Sequence, residues 1–310
     1  MSKKILVTGA GGLIGSELVP SLEKKHGAEN VYTSDLKPDP KKNYFPLDVT
    51  DPSSLEKAIK DREITEVYHL AGLLSAGSEK NPDSAWKINL GGLKNILDLG
   101  VKYKLKIFWP SSIAVFGPTT PRHDTPQHTV LEPTTIYGVT KYSGELLCQY
   151  YHRRHGLDVR SIRYPGVNSP KGTPGDGTTE YAIWIFHKAL ENGRYECFLK
   201  KDTRLPMMYI DDAIRATLML MEAPRESLTI DLAYNLTAVS FTPEELAIEL
   251  KKLIDFEITY VPDVRQKTAD TWPETIDDSQ ARADWGWQPE YDLAKMAKAM
   301  FEYIKKNRLS

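Results

Sequence analysis

Apolar residues along this chain fall into short continuous runs, separated by longer stretches in which they recur at helical spacing. The run at 4–8 predicts a first strand, and the spacing over 13–25 predicts an amphipathic helix behind it. A second strand is expected at 31–35. Asp51 and Pro52 read as the cap and first-turn proline of a helix over 53–62. Residues 66–70 and 106–110 read as buried strands, with a long helix between them near 84–103. A helix over 136–156 and a strand at 158–164 follow. Strands that alternate with helices in this way predict a parallel sheet, and hence an α/β fold.

Past Val167 the pattern changes. The segment 168–179 is rich in proline, glycine and threonine and reads as a loop. Helices are expected near 181–192, 213–222 and 243–253, and the tail over 277–307 is largely helical in pattern. No internal repeat or low-complexity segment interrupts the chain.

Composition narrows the function. The 310 residues are 41% hydrophobic with a formal net charge of -2, which gives no basic excess for nucleic acid. No run approaches the roughly 18 apolar residues of a membrane span. The charged N-terminal segment lacks the apolar run of a signal peptide. Cys148 and Cys197 stand apart without metal-type spacing, so reduced thiols, a cytoplasmic location and no metal site are expected. His152 and His155 read as surface residues of a helix.

The first strand runs straight into Gly9-x-x-Gly12-x-x-Gly15. Gly9 permits a sharp turn, Gly12 lets the backbone approach a pyrophosphate, and Gly15 allows close packing of helix on strand. The N–H groups of Leu13 and Ile14, at the start of the helix, would then face the phosphates. A glycine turn without a ligand is the alternative. Asp35, followed by Leu36 and Lys37, ends the second strand 20 positions after Gly15. A carboxylate there accepts hydrogen bonds from a ribose diol and repels a 2′-phosphate, which favours NAD over NADP. Lys37 is a nearby cation that pulls the other way. Asp48 and Val49 close a third strand and are candidate adenine contacts. Leu70, Ala71 and Gly72 would lie along the cofactor. Asp48 and Ala71 also fit plain turn and packing roles.

Tyr137 and Lys141 are four apart on a predicted helix and share a face. A phenol is a poor base at neutral pH. A neighbouring ammonium and an oxidised nicotinamide lower its pKa, which makes Tyr137 a candidate general base. Lys141 is also a candidate ligand of the nicotinamide ribose. Ser112 is placed to hydrogen-bond a substrate oxygen, and Ser111 either to join it or to face the cofactor. Turn-capping serines and a half-buried aromatic are the structural alternatives.

Together the glycine loop, Leu70-Ala71, Asn89-x-x-Gly92, Ser111-Ser112 with Val115-Phe116-Gly117, Tyr137-Gly-x-x-Lys141, Arg163-Tyr164-Pro165-Gly166 and Tyr209-Ile210-Asp211-Asp212-Ala213 resemble the extended short-chain dehydrogenase/reductases. The resemblance covers most of the chain. It implies a Rossmann doubly wound sheet with a smaller, interleaved C-terminal domain. Residues 1–166 and 207–238 would bind NAD, and 167–206 and 239–310 the substrate. It assigns catalysis to Tyr137, Lys141 and Ser112. It puts Asn89, Ser111, Tyr164, Gly166 and Val167 on the cofactor side and gives Asp211 a structural part. Epimerases of nucleotide sugars usually have Asn where this chain has Gly166.

Within the family the chain is similar to the short-chain type of L-threonine 3-dehydrogenases. The segments that carry this are Leu74-Ser75-Ala76, Phe108 through Pro121, Gly177 through Tyr181, Thr203 through Tyr209 and Asp277 through Arg282. The glycine loop departs from that type at Gly11 and Leu13, which leaves pyrophosphate binding unaffected. The likeness implies NAD-dependent oxidation of the C3 hydroxyl of L-threonine. Thr178, Thr179 and Arg204 are then candidate donors to the substrate carboxylate. Ser75, Ser111, Ser112 and Tyr137 would line the site and Trp272 would cover it. Helix capping for the threonines, an ion pair for Arg204 and the core for Trp272 stay open. The loop 171–178 is a candidate lid, and the helices near 84–103 and 136–156 a homodimer face. A nucleotide-sugar epimerase or dehydratase, and a non-catalytic NAD sensor, are the competing functions.

Overall fold

A computed structural model describes residues 3–40, 43–171 and 174–308. Gly172 and Thr173 of the predicted lid lie outside the described residues. The chain divides into two compact units: Met1–Val115, Thr135–Arg163 and Ile214–Tyr234 form the first, and Phe116–Thr134, Tyr164–Ala213 and Asn235–Ser310 the second.

In chain order the strands are β1 (Ile5–Thr8), β2 (Val31–Asp35), β3 (Tyr44–Pro46), β4 (Glu66–His69), β5 (Lys106–Ser112) and β6 (Asp158–Tyr164). They continue as β7 (Gly166–Asn168), β8 (Arg194–Cys197), β9 (Leu205–Tyr209), β10 (Ala233–Asn235), β11 (Val239–Phe241) and β12 (Glu257–Tyr260). The helices used below are α1 (Leu13–His26), α2 (Pro52–Asp61), α3 (Ser75–Lys80), α4 (Pro82–Ala85), α5 (Leu93–Tyr103), α6 (Ile136–His155), α7 (Tyr181–Asn192), α8 (Ile210–Glu222) and α9 (Pro243–Lys251).

A seven-stranded sheet orders its strands β10-β6-β5-β4-β1-β2-β3. β1 pairs in parallel with both β2 and β4, with Thr8 opposite Ser34 on one side and His69 on the other. The strand order reverses at β1 and β4, and ligands of such sheets bind outside the carboxyl ends at that point. Gly9 follows β1 and Leu70 follows β4, so the candidate cofactor residues flank the reversal. Ile5, Leu6 and Val7 are fully buried, as a strand covered on both faces requires. On one face Leu6, Val67, Ile107 and Trp109 pack with Leu55 and Ile59 of α2 and Ile96 and Leu97 of α5. Truncating a leucine in this layer to alanine costs about 2–5 kcal/mol.

Local signals act as expected at α2, where the Asp51 side chain accepts the N–H groups of Ser53 and Ser54 at 3.0 and 3.3 Å. The helix expected near 84–103 is not uniform. It comprises α4, a π-helical stretch over Trp86–Gly92, and α5. The π stretch contains Asn89, whose side chain leaves the helix face to bind other segments.

The second unit carries β11-β9-β7, in which β9 runs antiparallel to β11 and parallel to β7, and a separate parallel pair β12-β8. These three- to five-residue strands are too short to leave a periodic signature in the sequence. The helical tail is broken into Ser279–Trp285 and Leu293–Arg308. Gly286 ends the first piece at φ +72°, and the buried Asp212 carboxylate accepts the N–H groups of Glu290 and Tyr291 at 3.0–3.1 Å. Asp211 accepts the Tyr291 hydroxyl at 2.9 Å. The Asp-Asp pair is therefore an anchor for the tail.

Candidate active site

The glycine loop is built to let backbone approach backbone. At Gly9, φ is +69° and a Cβ would lie 2.6 Å from the Ala71 nitrogen, so only glycine fits. A Cβ on Gly15 would meet the Gly9 carbonyl at 2.6 Å. Gly12 caps α1 without any side-chain bond, and the first-turn N–H groups around Leu13, Ile14 and Gly15 have no carbonyl one turn back. That leaves a side-chain-free, positively polarised cradle that fits a pyrophosphate. Asp35 completes it. Its Oδ2 accepts Gly11 N–H at 3.1 Å and its Oδ1 accepts Leu36 N–H at 2.7 Å, which fixes the carboxylate beside the loop. Leu36 and Lys37 are exposed next to it. The residues present fit a dinucleotide with an unphosphorylated adenosine ribose.

Asp48 and Val49 lie in the turn after β3, which ends at Pro46. Asp48 Oδ1 accepts Thr50 N–H at 2.9 Å, and the Val49 carbonyl accepts Asn95 Nδ2 at 3.0 Å. The turn after β4 is pinned by Asn89, which accepts Leu73 N–H at 2.7 Å and donates to the Leu73 carbonyl and to Thr140 Oγ1, both at 3.2 Å. This fixes Leu70, Ala71 and Gly72 and, next to them, Ser75 at the start of α3. Beneath lies His69, fully buried, with Nδ1 2.8 Å from Thr8 Oγ1.

Tyr137 and Lys141 project from α6 toward the end of β5. The Lys141 ammonium donates to the Pro110 carbonyl at 2.6 Å and lies 4.6 Å from the centre of the Trp109 ring and 5.5 Å from that of Tyr137. Ser112 hydrogen-bonds Tyr137 and accepts Ala114 N–H at 3.2 Å. Ser111 is buried and donates instead to Glu145 Oε1 at 2.6 Å. The structure thus brings Tyr137, Lys141 and Ser112 together and turns the Ser111 hydroxyl inward. Burial pushes the Tyr137 phenol up to about 12, and the Ser112 hydrogen bond opposes this. Burial pulls Lys141 down to about 8, against the attraction of Cys148 and Glu145. Burial thus disfavours the charged form of both groups, the phenolate of Tyr137 and the ammonium of Lys141.

In the second unit Tyr164 and Thr178 are buried, and Val167 and Thr179 partly so. A Cβ on Gly166 would meet Met207 Sδ at 2.3 Å and Thr179 Cγ2 at 2.8 Å, so a larger residue must push both side chains aside. Neither threonine hydroxyl caps a helix: Gly177 precedes the 3-10 turn over Thr178–Glu180, and Glu180 precedes α7. Arg204 is engaged by the Ser240 carbonyl at 2.6 Å and by Glu245 at 2.5 Å. Glu245 also closes the capping box of α9 with Thr242, so Arg204 buttresses a helix start. Trp272 is buried.

Sequence reasoning passed over Glu145, Thr140 and His69. Glu145 is four residues beyond Lys141, and that spacing on a buried helix face was the available signal. Nothing in the sequence marks Asn89 and Thr140 as partners.

Among the described residues no three His, Cys, Asp or Glu side chains are grouped to hold a metal ion. No helix among them is long and apolar enough to cross a membrane.

A Rossmann sheet, a dinucleotide cradle and a Ser-Tyr-Lys cluster define an NAD-linked oxidoreductase of the short-chain type. Residues 5–236 match the NAD dependent epimerase/dehydratase family, and the chain belongs to it. Within that family it is 46% identical over 308 residues to a mitochondrial L-threonine 3-dehydrogenase of Bos taurus, spanning 97% of this chain and 82% of the relative. The crystal structure of L-threonine dehydrogenase from Phytophthora infestans superposes with a TM-score of 0.96 at 46% identity, covering 98% of this chain and 100% of that one. A holo form of a GalE-like L-threonine dehydrogenase from Cupriavidus necator gives 0.94 at 50% identity, covering 96% and 99%.

Proposed function

We infer that this protein oxidises the C3 hydroxyl of L-threonine to 2-amino-3-oxobutanoate. The observation that carries the chemistry is the Ser112–Tyr137–Lys141 cluster at the end of β5. Near-full-length similarity to L-threonine 3-dehydrogenases carries the substrate. NAD, when bound, accepts the hydride. Gly9, Gly12, Leu13, Ile14 and Gly15 would hold its pyrophosphate, Asp35 its adenosine ribose, and Lys141 its nicotinamide ribose.

Tyr137 removes the hydroxyl proton. Its pKa starts high because it is buried, so the reaction depends on positive charge at Lys141 and at the oxidised nicotinamide to lower it. Ser112 holds the substrate oxygen with the hydroxyl that it already extends to Tyr137. We assign Thr178 and Thr179 as donors to the substrate carboxylate, since their hydroxyls are not used as caps, and leave Arg204 its structural part. Gly166 argues against a nucleotide-sugar substrate, because the side chain that would hold a diphosphate is absent and adding one would displace Met207 and Thr179.

The assembly we propose is a homodimer. Trp86, Leu146 and Tyr150 are each about half exposed on the segment before α5 and on α6, an apolar face that a second copy would cover. Two free, buried cysteines suit a cytoplasmic setting.

Purified protein given NAD and L-threonine should form NADH, seen by its near-ultraviolet absorbance, whereas UDP-galactose, L-serine and D-threonine should not replace L-threonine. A wild-type protein that binds NAD yet leaves L-threonine untouched would overturn the substrate assignment.

A further inference from the structure

A buried ion pair lies under the active-site helix. Glu145 is fully buried and Arg163 is 1% exposed. Glu145 Oε1 accepts Arg163 Nε at 2.9 Å, and Oε2 accepts Nη2 at 2.7 Å. Desolvating two charges offsets most of their attraction, so such a pair is weak evidence for stability and invites a search for another use.

What the pair touches supplies one. Glu145 Oε1 also accepts the Ser111 hydroxyl at 2.6 Å, and Ser111 adjoins Ser112. Four successive residues at the end of β5 are each engaged by α6. The Trp109 ring lies against Gly144, where a Cβ would come within 2.3 Å of it. The Pro110 carbonyl takes Lys141, Ser111 bonds Glu145, and Ser112 bonds Tyr137. Arg163 ties this junction to β6. Glu145 stands one helical turn beyond Lys141, on the same face.

We propose that Glu145, clamped by Arg163, is a positioning residue for the reaction: through Ser111 it sets the place of Ser112, and as the anion one turn away it keeps Lys141 charged. This rests on the roles given above to Ser112 and Lys141. Among the described residues the titratable groups that face Lys141 are Tyr137, Glu145 and Cys148 on α6, His69 on β4, and Arg163 behind Glu145. Burial raises the Cys148 thiol and lowers the His69 imidazole to about 3, so both are neutral at working pH. Cys148 and Glu145 are the neighbours that oppose the burial drawing Lys141 down to about 8, and with the thiol neutral the carboxylate is the one that carries charge.

The test uses the full chain with Glu145→Gln, Glu145→Asp and Ser111→Ala. The double variant Glu145→Gln/Arg163→Gln is added so that no unpaired guanidinium remains if the single variant fails to fold. NADH affinity, followed by tryptophan fluorescence as pH is raised, reports the charge of Lys141 without turnover. Wild-type affinity should weaken as pH passes about 8. The weakening should begin lower in both Gln variants, by about one pH unit in Glu145→Gln and by less in the double variant, which also loses the Arg163 cation, and near the wild-type value in Glu145→Asp. Ser111→Ala removes no charge, so it should keep the wild-type titration while lowering kcat about tenfold with little change in KM for NAD. A folded Gln variant that titrates like wild type overturns the proposal, as does Ser111→Ala with wild-type kcat. If no Gln variant folds, Ser111→Ala decides alone. Absence of L-threonine oxidation in wild type strikes the substrate assignment instead, and the NADH titration still decides the part of Glu145.

Discussion

The Lys141 ammonium lies 5.5 Å from the centre of the Tyr137 ring and spends one of its protons on the Pro110 carbonyl, so the cation is locked in place before any ligand arrives. Its fixed position sets the sign of the pH dependence. Tyr137 must lose a proton to act as base, and its buried phenol starts near 12. L-Threonine oxidation should therefore speed up as pH rises through the neutral range. The reverse reduction, which consumes the proton, should slow. Tyr137→Phe should lose at least about 10²-fold in kcat. Lys141→Met should push the acidic limb upward by about one unit or more, because one of the two cations is gone. Steady-state profiles of the three proteins check this, and a Lys141→Met profile that overlays wild type would remove Lys141 from the mechanism.

The Asp35 carboxylate makes the second case. Both of its oxygens are already occupied by backbone N–H groups, from Gly11 and Leu36, so its charge stands fixed where an adenosine ribose would lie. Asp35→Ser should raise KM for NAD about tenfold and relax the exclusion of NADP, with kcat for NAD less affected. KM values for both cofactors measured side by side would decide it. Unchanged discrimination would mean that the exposed Lys37, not Asp35, governs the choice.

Much of this was legible because a few residue types have one physical use. An apolar run followed by three spaced glycines has little to do but turn, approach and pack, and Gly9 and Gly15 do so at distances no side chain tolerates. Tyr137 and Lys141 share a face by helix geometry alone. Other features leave no such mark. A π turn has the composition of an α turn, so the displacement of Asn89 toward Leu73 and Thr140 is visible only in space. Ser111 and Ser112 are identical in the sequence, and what separates them is a buried carboxylate 34 positions away. For Arg204 the choice between substrate donor and ion pair stayed open in the sequence because its partners, Ser240 and Glu245, lie 36 and 41 residues downstream.

Gly166 offers a steric test of the substrate class. Its hydrogen faces Met207 Sδ and Thr179, both inside the distance at which a Cβ must push something aside. Gly166→Ala should cost about 1–3 kcal/mol of stability and displace Thr179, raising KM for L-threonine more than KM for NAD. Gly166→Asn should do the same more severely, without gaining UDP-sugar binding. Denaturant melts and ligand titrations report the two effects separately. A Gly166→Asn protein that binds UDP-galactose would reopen the epimerase reading.

His69 predicts a loss of stability in mild acid. Its imidazole is fully buried, joined to Thr8 and held near 3 by burial first and by the charge of Lys141 second. In the unfolded chain the same group titrates near 6.5. The folded pKa is the lower one, so the unfolded state binds more protons between the two values and stability falls as pH falls. The contribution is whole above about 6.5 and drains away as pH drops from there toward 3. Over that window a single such group has a limiting slope of about 1.4 kcal/mol per pH unit. His69→Asn keeps a polar partner for Thr8 and has no proton to take up, so its stability curve should be flatter than wild type between pH 6 and 4 by up to that slope. Urea unfolding of both proteins across the window measures it. Parallel curves would mean that His69 gains a proton partner on acidification, which its buried Nε2, without a partner among the described residues, argues against.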